Sequence, residues 1–91
     1  MQEKKLKKIP NCLPKYRRQK GLTQKEVAKI LGFKTSSIFS KWERGFSFPS
    51  TPSLLKLSAL YGRQVEALFI DLFQKVKEEV LSEALNNNRH E

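Results

Sequence analysis

The stretch that most constrains this chain runs from Leu22 to Gly45 and reads LTQKEVAKILGFKTSSIFSKWERG. It contains two helical patterns separated by Gly32, which can adopt the left-handed backbone that ends a helix at low cost. At the start of the first pattern, Thr23 is followed three residues later by Glu26, the spacing of a capping box. Apolar residues then fall largely on one face of a short helix: Val27, Ala28, Ile30 and Leu31.

The second pattern begins after three hydroxyl residues, Thr35, Ser36 and Ser37, and closes at Gly45. Phe39 and Trp42 are three positions apart, so both side chains can face the same core. The small residue Ala28 would lie where the two helices cross. Two short helices joined by a tight turn predict a helix-turn-helix.

The outward side of the second helix is expected to be small, polar or basic, with Ser36, Ser37, Ser40, Lys41 and Arg44. Serine hydroxyls can donate to or accept from base edges, while lysine and arginine can neutralise phosphate. Such a face, opposite a buried aromatic pair, suits the major groove of duplex DNA.

These residues also carry a family resemblance. TQKEVAKILG, followed by SKWERG and Pro49, resembles the DNA-binding domain of the lambda-type phage repressors and Cro, the XRE family of helix-turn-helix regulators. The resemblance extends from Leu13 to Phe69 and implies an all-α, five-helix domain that binds double-stranded DNA and regulates transcription. Arg17 and Glu43 match an arginine and a glutamate that pair in many family members. Gln24 matches a glutamine that contacts phosphate.

The residues and the resemblance together predict a DNA-binding set that spans the first three helices and their adjoining loops. Its members are Arg17, Thr23, Gln24, Lys34, Thr35, Ser36, Ser37, Ile38, Ser40, Lys41, Arg44 and Ser47.

The turn departs from the family pattern in length. Members of the family place the two core residues of the second helix six and nine positions after the turn glycine, whereas here Ile38 is sixth and Trp42 is tenth. If Trp42 sets the register, Phe39 is its core partner, Thr35 is the N-cap, and the turn is one residue longer than usual. If Ile38 sets the register, Phe39 is exposed and the helix needs a bulge. We interpret the helix in the first register.

The charge of the chain is concentrated in one half. Of the 18 Lys and Arg residues and the 9 acidic residues, thirteen basic and three acidic residues lie in 1–45, a local charge of +10 (13 − 3). Residues 46–91 carry five basic and six acidic residues, a local charge of −1 (5 − 6). Positive charge gathered around the motif is typical of a surface that binds a polyanion.

The composition offers little for catalysis or for metal binding. Cys12 is the single cysteine, so no intramolecular disulfide can form, and together with the single histidine, His90, it cannot build a zinc site. We find no nucleophile–base set and no phosphate-cradling glycine loop. We therefore expect no enzymatic activity and no cofactor. Without long apolar runs or a signal sequence, we expect a cytoplasmic protein that does not enter a membrane.

Both flanks of the motif leave alternatives open. Residues 1–10 form a lysine-rich arm that either is a solvated tail or binds DNA, by following the backbone or entering a minor groove. The DNA-binding domain is expected over 11–70. In the loop after Gly45, Phe46 and Phe48 stand where the family often has polar or basic residues. One or both are expected to cover the core, or alternatively to form a hydrophobic surface for a second subunit.

Apolar residues continue at helical spacing beyond Phe69, which predicts a helical extension over 71–86 before a polar tail over 87–91. Such an amphipathic helix can fold back on its own domain or pair with another chain. We expect pairing into a homodimer, which would act as a repressor on an inverted repeat. The alternative is an antitoxin-type module that also binds a partner protein. The expected dimerisation residues are Leu72, Phe73, Val76 and Val80.

Overall fold

The computed structural model describes residues 8–89, and that part of the chain is entirely helical. Its helices are α1 Leu13–Gln19, α2 Gln24–Leu31, α3 Ser37–Glu43, α4 Thr51–Tyr61, α5 Val65–Leu68 and α6 Ile70–Arg89. The predicted all-α class is confirmed, and the expected further C-terminal helix is present as α6. None of the helices in the described part is long and apolar enough to cross a membrane.

The first five helices enclose one small core. Phe39 is completely buried, and its ring meets that of Trp42 edge-on with 5.9 Å between centroids. Ile38 beside them is 48% exposed. The register of α3 set by Trp42 is therefore confirmed, and the register set by Ile38 is wrong. The core comprises Leu13, Val27, Leu31, Phe39, Trp42, Leu57, Tyr61, Leu68 and Phe69.

The turn between α2 and α3 holds the extra residue. α2 ends at Gly32, whose φ is +92°, and Phe33 then packs edge-on against Trp42 with 5.7 Å between ring centroids. The N-cap of α3 is Ser36 rather than the expected Thr35. The Ser36 side chain makes no capping hydrogen bond, and the Thr35 hydroxyl accepts from the backbone N–H of Ser37 at 3.4 Å, which closes a short turn before the helix.

Two expectations about element faces and ends are wrong, and one break was not predicted. Ile30 is 56% exposed, because the core covers only the narrower stripe formed by Val27, Ala28 and Leu31. The unpredicted break separates α5 from α6, because the backbone at Phe69 leaves the helical region (φ −134°, ψ 52°) and turns its ring into the core. α6 does not end at Asn86 but runs through the asparagine tract to Arg89.

The N-terminal segment joins the fold before α1 begins. Ile9, which was expected to belong to the arm, packs against the core, and its N–H donates to the carbonyl of Gly45 at 2.9 Å. Gly45 has φ +81°, and a Cβ there would lie 2.7 Å from the carbonyl oxygen of Ile9. Residues 1–7 of the proposed arm lie outside the described part of the chain.

The Asn11 side chain also links the segment before α1 to the end of α3. Its Oδ1 accepts from the N–H of Leu13, the first residue of α1, at 3.0 Å. Its Nδ2 donates to the carbonyls of Trp42 and Glu43, each at 3.2 Å. The start of α1 and the end of α3 are thus held together by one amide.

The contact between Ile9 and Gly45 gives a prediction with a matched control. Gly32 also has positive φ, but nothing lies within 4 Å of a Cβ placed there. Gly32→Ala should therefore cost only the backbone strain, about 1–2 kcal/mol. Gly45→Ala should cost a further ~1–3 kcal/mol in the free energy of unfolding, because the backbone of Ile9 must move. Urea denaturation of both variants measures the difference, and equal losses would contradict the close packing.

Candidate nucleic-acid interface

The outer face of α3 presents the residue types expected at base edges. Because Phe39 and Trp42 are buried, the rotation of the helix about its axis is fixed. The seven residues of α3 make about two turns, roughly 10 Å. Ser37, Ile38, Lys41 and Arg44 are exposed, and Ser36 and Ser40 are half-buried at the edges of this face.

The N-terminus of α2 is ordered by the predicted capping box. The Glu26 carboxylate accepts from the N–H of Thr23 at 2.8 Å, and the Thr23 hydroxyl accepts from the N–H of Glu26 at 3.1 Å. Gln24, the first residue of α2, donates through Nε2 to Oε1 of Glu43 at 2.8 Å. Its side chain is therefore anchored toward α3.

Arg17 and Glu43 form the ion pair that the resemblance implied. Arg17 Nε donates to Oε2 of Glu43 at 2.7 Å, and Nη2 donates to Oε1 at 3.2 Å, so the contact is bidentate. Nη1 donates to the carbonyl of Leu22 at 3.0 Å. Both side chains are largely removed from water, with 14% of Arg17 and 4% of Glu43 exposed. Three of the five guanidinium N–H groups are thus used within the domain, leaving two for another partner.

The surroundings of this ion pair raise the pKa of the Arg17 guanidinium and of the nearby Tyr61 phenol. The hydrogen bond and the charge of Glu43 raise the pKa of the Arg17 guanidinium, although burial opposes this. Burial raises the pKa of the Tyr61 phenol, the Glu43 carboxylate raises it further, and Arg17 partly offsets the shift. The buried Tyr61 hydroxyl has no hydrogen-bond partner in the described part of the chain. Arg17 therefore stays charged, and Tyr61 stays neutral, at physiological pH.

The turn between α2 and α3 forms part of a basic concave surface. Lys34 and Thr35 are exposed, and the Thr35 and Ser37 hydroxyls are 2.9 Å apart. The turn and α2 enclose an open cavity of about 470 Å³, lined by Lys25, Ala28, Lys29, Phe33, Lys34, Thr35 and Ser36. Three of the predicted site residues therefore share one concave surface with two further lysines. Ser47 is half-buried in the loop after α3.

Of the two phenylalanines after α3, Phe48 lies against the core and Phe46 does not. Phe46 is 55% exposed, with Lys8 Nζ 5.3 Å and Arg44 Cζ 5.0 Å from its ring centroid. Phe48 is 46% exposed but packs on Phe69, with 4.7 Å between ring centroids. The contacts of Phe46 with Lys8 and those of Asn11 with α3 were missed by the sequence analysis. Sequence spacing carries no signal for either, because the partners are far apart in the chain.

The stripe of apolar residues on α6 remains exposed. Leu72 is partly buried against the core, while Phe73, Val76 and Val80 face solvent together with Leu81 and Leu85. An apolar groove of about 160 Å³ lies where α6 leaves the domain, lined by Phe48, Val65, Glu66, Phe69, Leu72, Phe73 and Val76. Within residues 8–89, the part of α6 beyond Leu72 does not pack back on its own domain.

Comparison with known proteins identifies one family. A family model described as helix-turn-helix matches residues 15–68. The match begins inside α1 and ends with α5, which is more than half of the chain, and it leaves α6 outside. Searches of the curated proteins and of the solved structures found no match.

The buried ion pair gives a prediction for stability. Arg17→Ala should cost about 3 kcal/mol in the free energy of unfolding, the lower end for breaking a buried pair, because Arg17 is partly exposed. Adding Glu43→Gln should recover part of this loss, since it removes the uncompensated carboxylate. A double-mutant cycle by chemical denaturation measures the coupling. Strictly additive losses would show that the pair contributes nothing beyond its separate side chains.

Proposed function

Because the chain belongs to the helix-turn-helix family, of the XRE type to which Cro and the phage repressors belong, we propose that it is a transcriptional repressor that binds duplex DNA sequence-specifically. The domain of this family is a DNA-binding regulatory domain. The observation that carries the proposal is the orientation of α3, which buries Phe39 and Trp42 and leaves hydroxyl and cationic side chains facing outward.

Base reading belongs to the outward residues of α3. Two helical turns fit the major groove, where Ser37 and its neighbouring serines can donate to or accept from base edges. Ile38, at 48% exposure, offers methyl groups that can contact a thymine methyl. These side chains stand on a helix whose far side is locked into the core, so they are held in place before DNA arrives.

In the proposal, the residues around α3 bind phosphates of the DNA. Arg17 has two N–H groups left for an anion, and Lys34 stands exposed in the turn beside the cavity lined by Lys25 and Lys29. Neutralising several phosphates releases their counterions, so affinity should fall steeply with salt. The remaining phosphate contacts in the proposal come from Thr23, Gln24, Thr35, Lys41, Arg44 and Ser47.

The proposal includes a homodimer formed through α6. Leaving the stripe in water forgoes about 1.5–3 kcal/mol for each large apolar side chain. In the middle of α6, Lys75 and Lys77 are followed by Glu78, Glu79 and Glu83, while Asp71 lies in the first turn and Arg89 at the end. An antiparallel second copy that pairs at Val76 and Val80 would set the two lysines of each helix near glutamates of the other. This local complementarity supports a second copy as the partner.

A twofold dimer fits an inverted repeat. Antiparallel α6 helices are related by a twofold axis, which also relates the two copies of α3. Binding two half-sites in successive major grooves requires recognition helices roughly 34–36 Å apart. The proposal also includes a cytoplasmic location, as expected for a repressor of the phage type.

The second candidate function is an antitoxin-type module, in which α6 binds a different protein. The exposed stripe and the groove beside Phe48 are the observations that favour it. In that case the isolated chain would be monomeric, and a partner protein would cover the stripe.

A first prediction separates base reading from phosphate binding. After selection of an operator from random duplex DNA, Ser37→Ala should lower the discrimination between operator and random DNA by roughly 1–3 kcal/mol. Lys41→Ala should weaken binding to both by a similar factor. Lys20→Ala removes the same charge from an exposed position at the end of α1 and serves as the control. Fluorescence anisotropy measures all three, and unchanged discrimination by Ser37→Ala would contradict the orientation proposed for α3.

A second prediction tests the dimer. Val76→Asp places a carboxylate in the middle of the stripe, so the protein should become monomeric, keep its helical content and bind the full operator far more weakly. Gln74→Asp adds the same charge to an exposed position on the opposite side of α6 and should leave the dimer intact. Sedimentation equilibrium at micromolar concentration decides between these outcomes. A wild-type protein that is monomeric with and without DNA would overturn the homodimer and favour a different partner.

A further inference from the structure

Phe46 has surroundings that a solvent-exposed aromatic rarely has. It is 55% exposed and does not belong to the core cluster. Two cations from separate parts of the chain approach its ring, Lys8 from the N-terminal segment and Arg44 from the end of α3. Each stands at the distance of a cation–π contact, in which a positive charge is attracted by the electrons of the ring face.

The backbone keeps Lys8 in this place. The N–H of its neighbour Ile9 donates to the carbonyl of Gly45 at 2.9 Å, and a Cβ at Gly45 would lie too close to the backbone of Ile9 to fit. Phe46 follows Gly45 directly. The segment that carries Lys8 is therefore fastened to the residue that precedes the ring, and the contact between them is built into the fold.

Two like charges beside one ring favour an anionic partner. Within residues 8–89 neither Lys8 nor Arg44 forms an ion pair, and the nearby Glu43 carboxylate is already taken by Arg17 and Gln24. The pair lies at the C-terminal end of α3, the helix proposed to enter the major groove. The anions found beside that helix would be phosphates of the DNA strand.

We propose that Phe46 is a positioning residue for phosphate binding, and this rests on the proposed function. Its ring holds Lys8 and Arg44 at the end of α3, where both cations bind phosphates of the strand that borders the groove. Long basic side chains lose rotamer freedom when they bind. The ring restricts them beforehand and so reduces that loss. An aliphatic side chain of similar size would fill the same space without attracting the cations.

The test compares Phe46→Leu with Phe46→Tyr, which keeps the ring. Fluorescence anisotropy with one duplex, from low to physiological salt, measures affinity and its salt dependence. Phe46→Leu should bind more weakly at low salt, and its slope of log affinity against log salt should be smaller by about 1–2, since each phosphate that is no longer neutralised lowers the slope by about 0.9. Phe46→Tyr should keep the wild-type slope. Lys8→Gln should reduce the slope by itself and add little when combined with Phe46→Leu.

Several results would overturn the inference. A wild-type slope for Phe46→Leu would show that the ring does not position the cations, and a slope for Phe46→Tyr as low as that for Phe46→Leu would show that the aromatic ring is not required. Because Phe46 is exposed, both variants should melt at the wild-type temperature, and a lower melting temperature for Phe46→Leu would assign the ring a structural role instead. If the wild-type protein binds no duplex at low salt, the proposed function itself fails. If it binds normally and only the effect of Phe46→Leu is absent, the positioning role of Phe46 alone fails.

Discussion

The arrangement of the domain depends on one buried carboxylate at the end of α3. Glu43 is 4% exposed, and a carboxylate in that position is costly unless donors surround it. Arg17 reaches it from α1 with two N–H groups, and Gln24 reaches it from the start of α2. Asn11 binds the backbone carbonyl of the same residue. The C-terminal end of α3 is thereby held by three neighbouring segments, while its outer face makes no comparable contact within residues 8–89.

Local physics was enough to predict the helical class and the start of α2, since the capping box needs only Thr23 and Glu26. The orientation of α3 needed more, because Ile38 and Phe39 are both at helical spacing from Trp42, and only the choice of Trp42 to set the register selected Phe39. Periodicity could not reveal the break at Phe69, because the apolar pattern runs on smoothly while the backbone turns a ring into the core. Nor could it locate the end of α6, since exposed asparagines disfavour a helix by only about 0.7 kcal/mol each or less, too little to stop it.

The contacts of the candidate site likewise divide into those that could be predicted before the structure and those that could not. Arg17 and Glu43 are 26 positions apart, and only the family resemblance placed them together. Asn11 with Trp42, and Lys8 with Phe46, are at least as distant, and no motif marks them. Such pairs depend on how the N-terminal segment crosses the end of α3, which is settled by tertiary packing. The residues read most directly from the sequence were those whose neighbours lie within one helical turn.

The extra residue in the turn before α3 has a consequence for comparing specificities within the family. One residue turns a helix by about 100°, so matching positions by their distance from Gly32 would pair an inward side chain of this chain with an outward one of a relative. By that count Ile38 would be assigned to the core and Phe39 to the groove, the reverse of their burial here. A recognition code transferred between such proteins must be aligned on the buried tryptophan. Without that alignment, two members with nearly identical motif sequences would be compared at positions whose side chains face different directions.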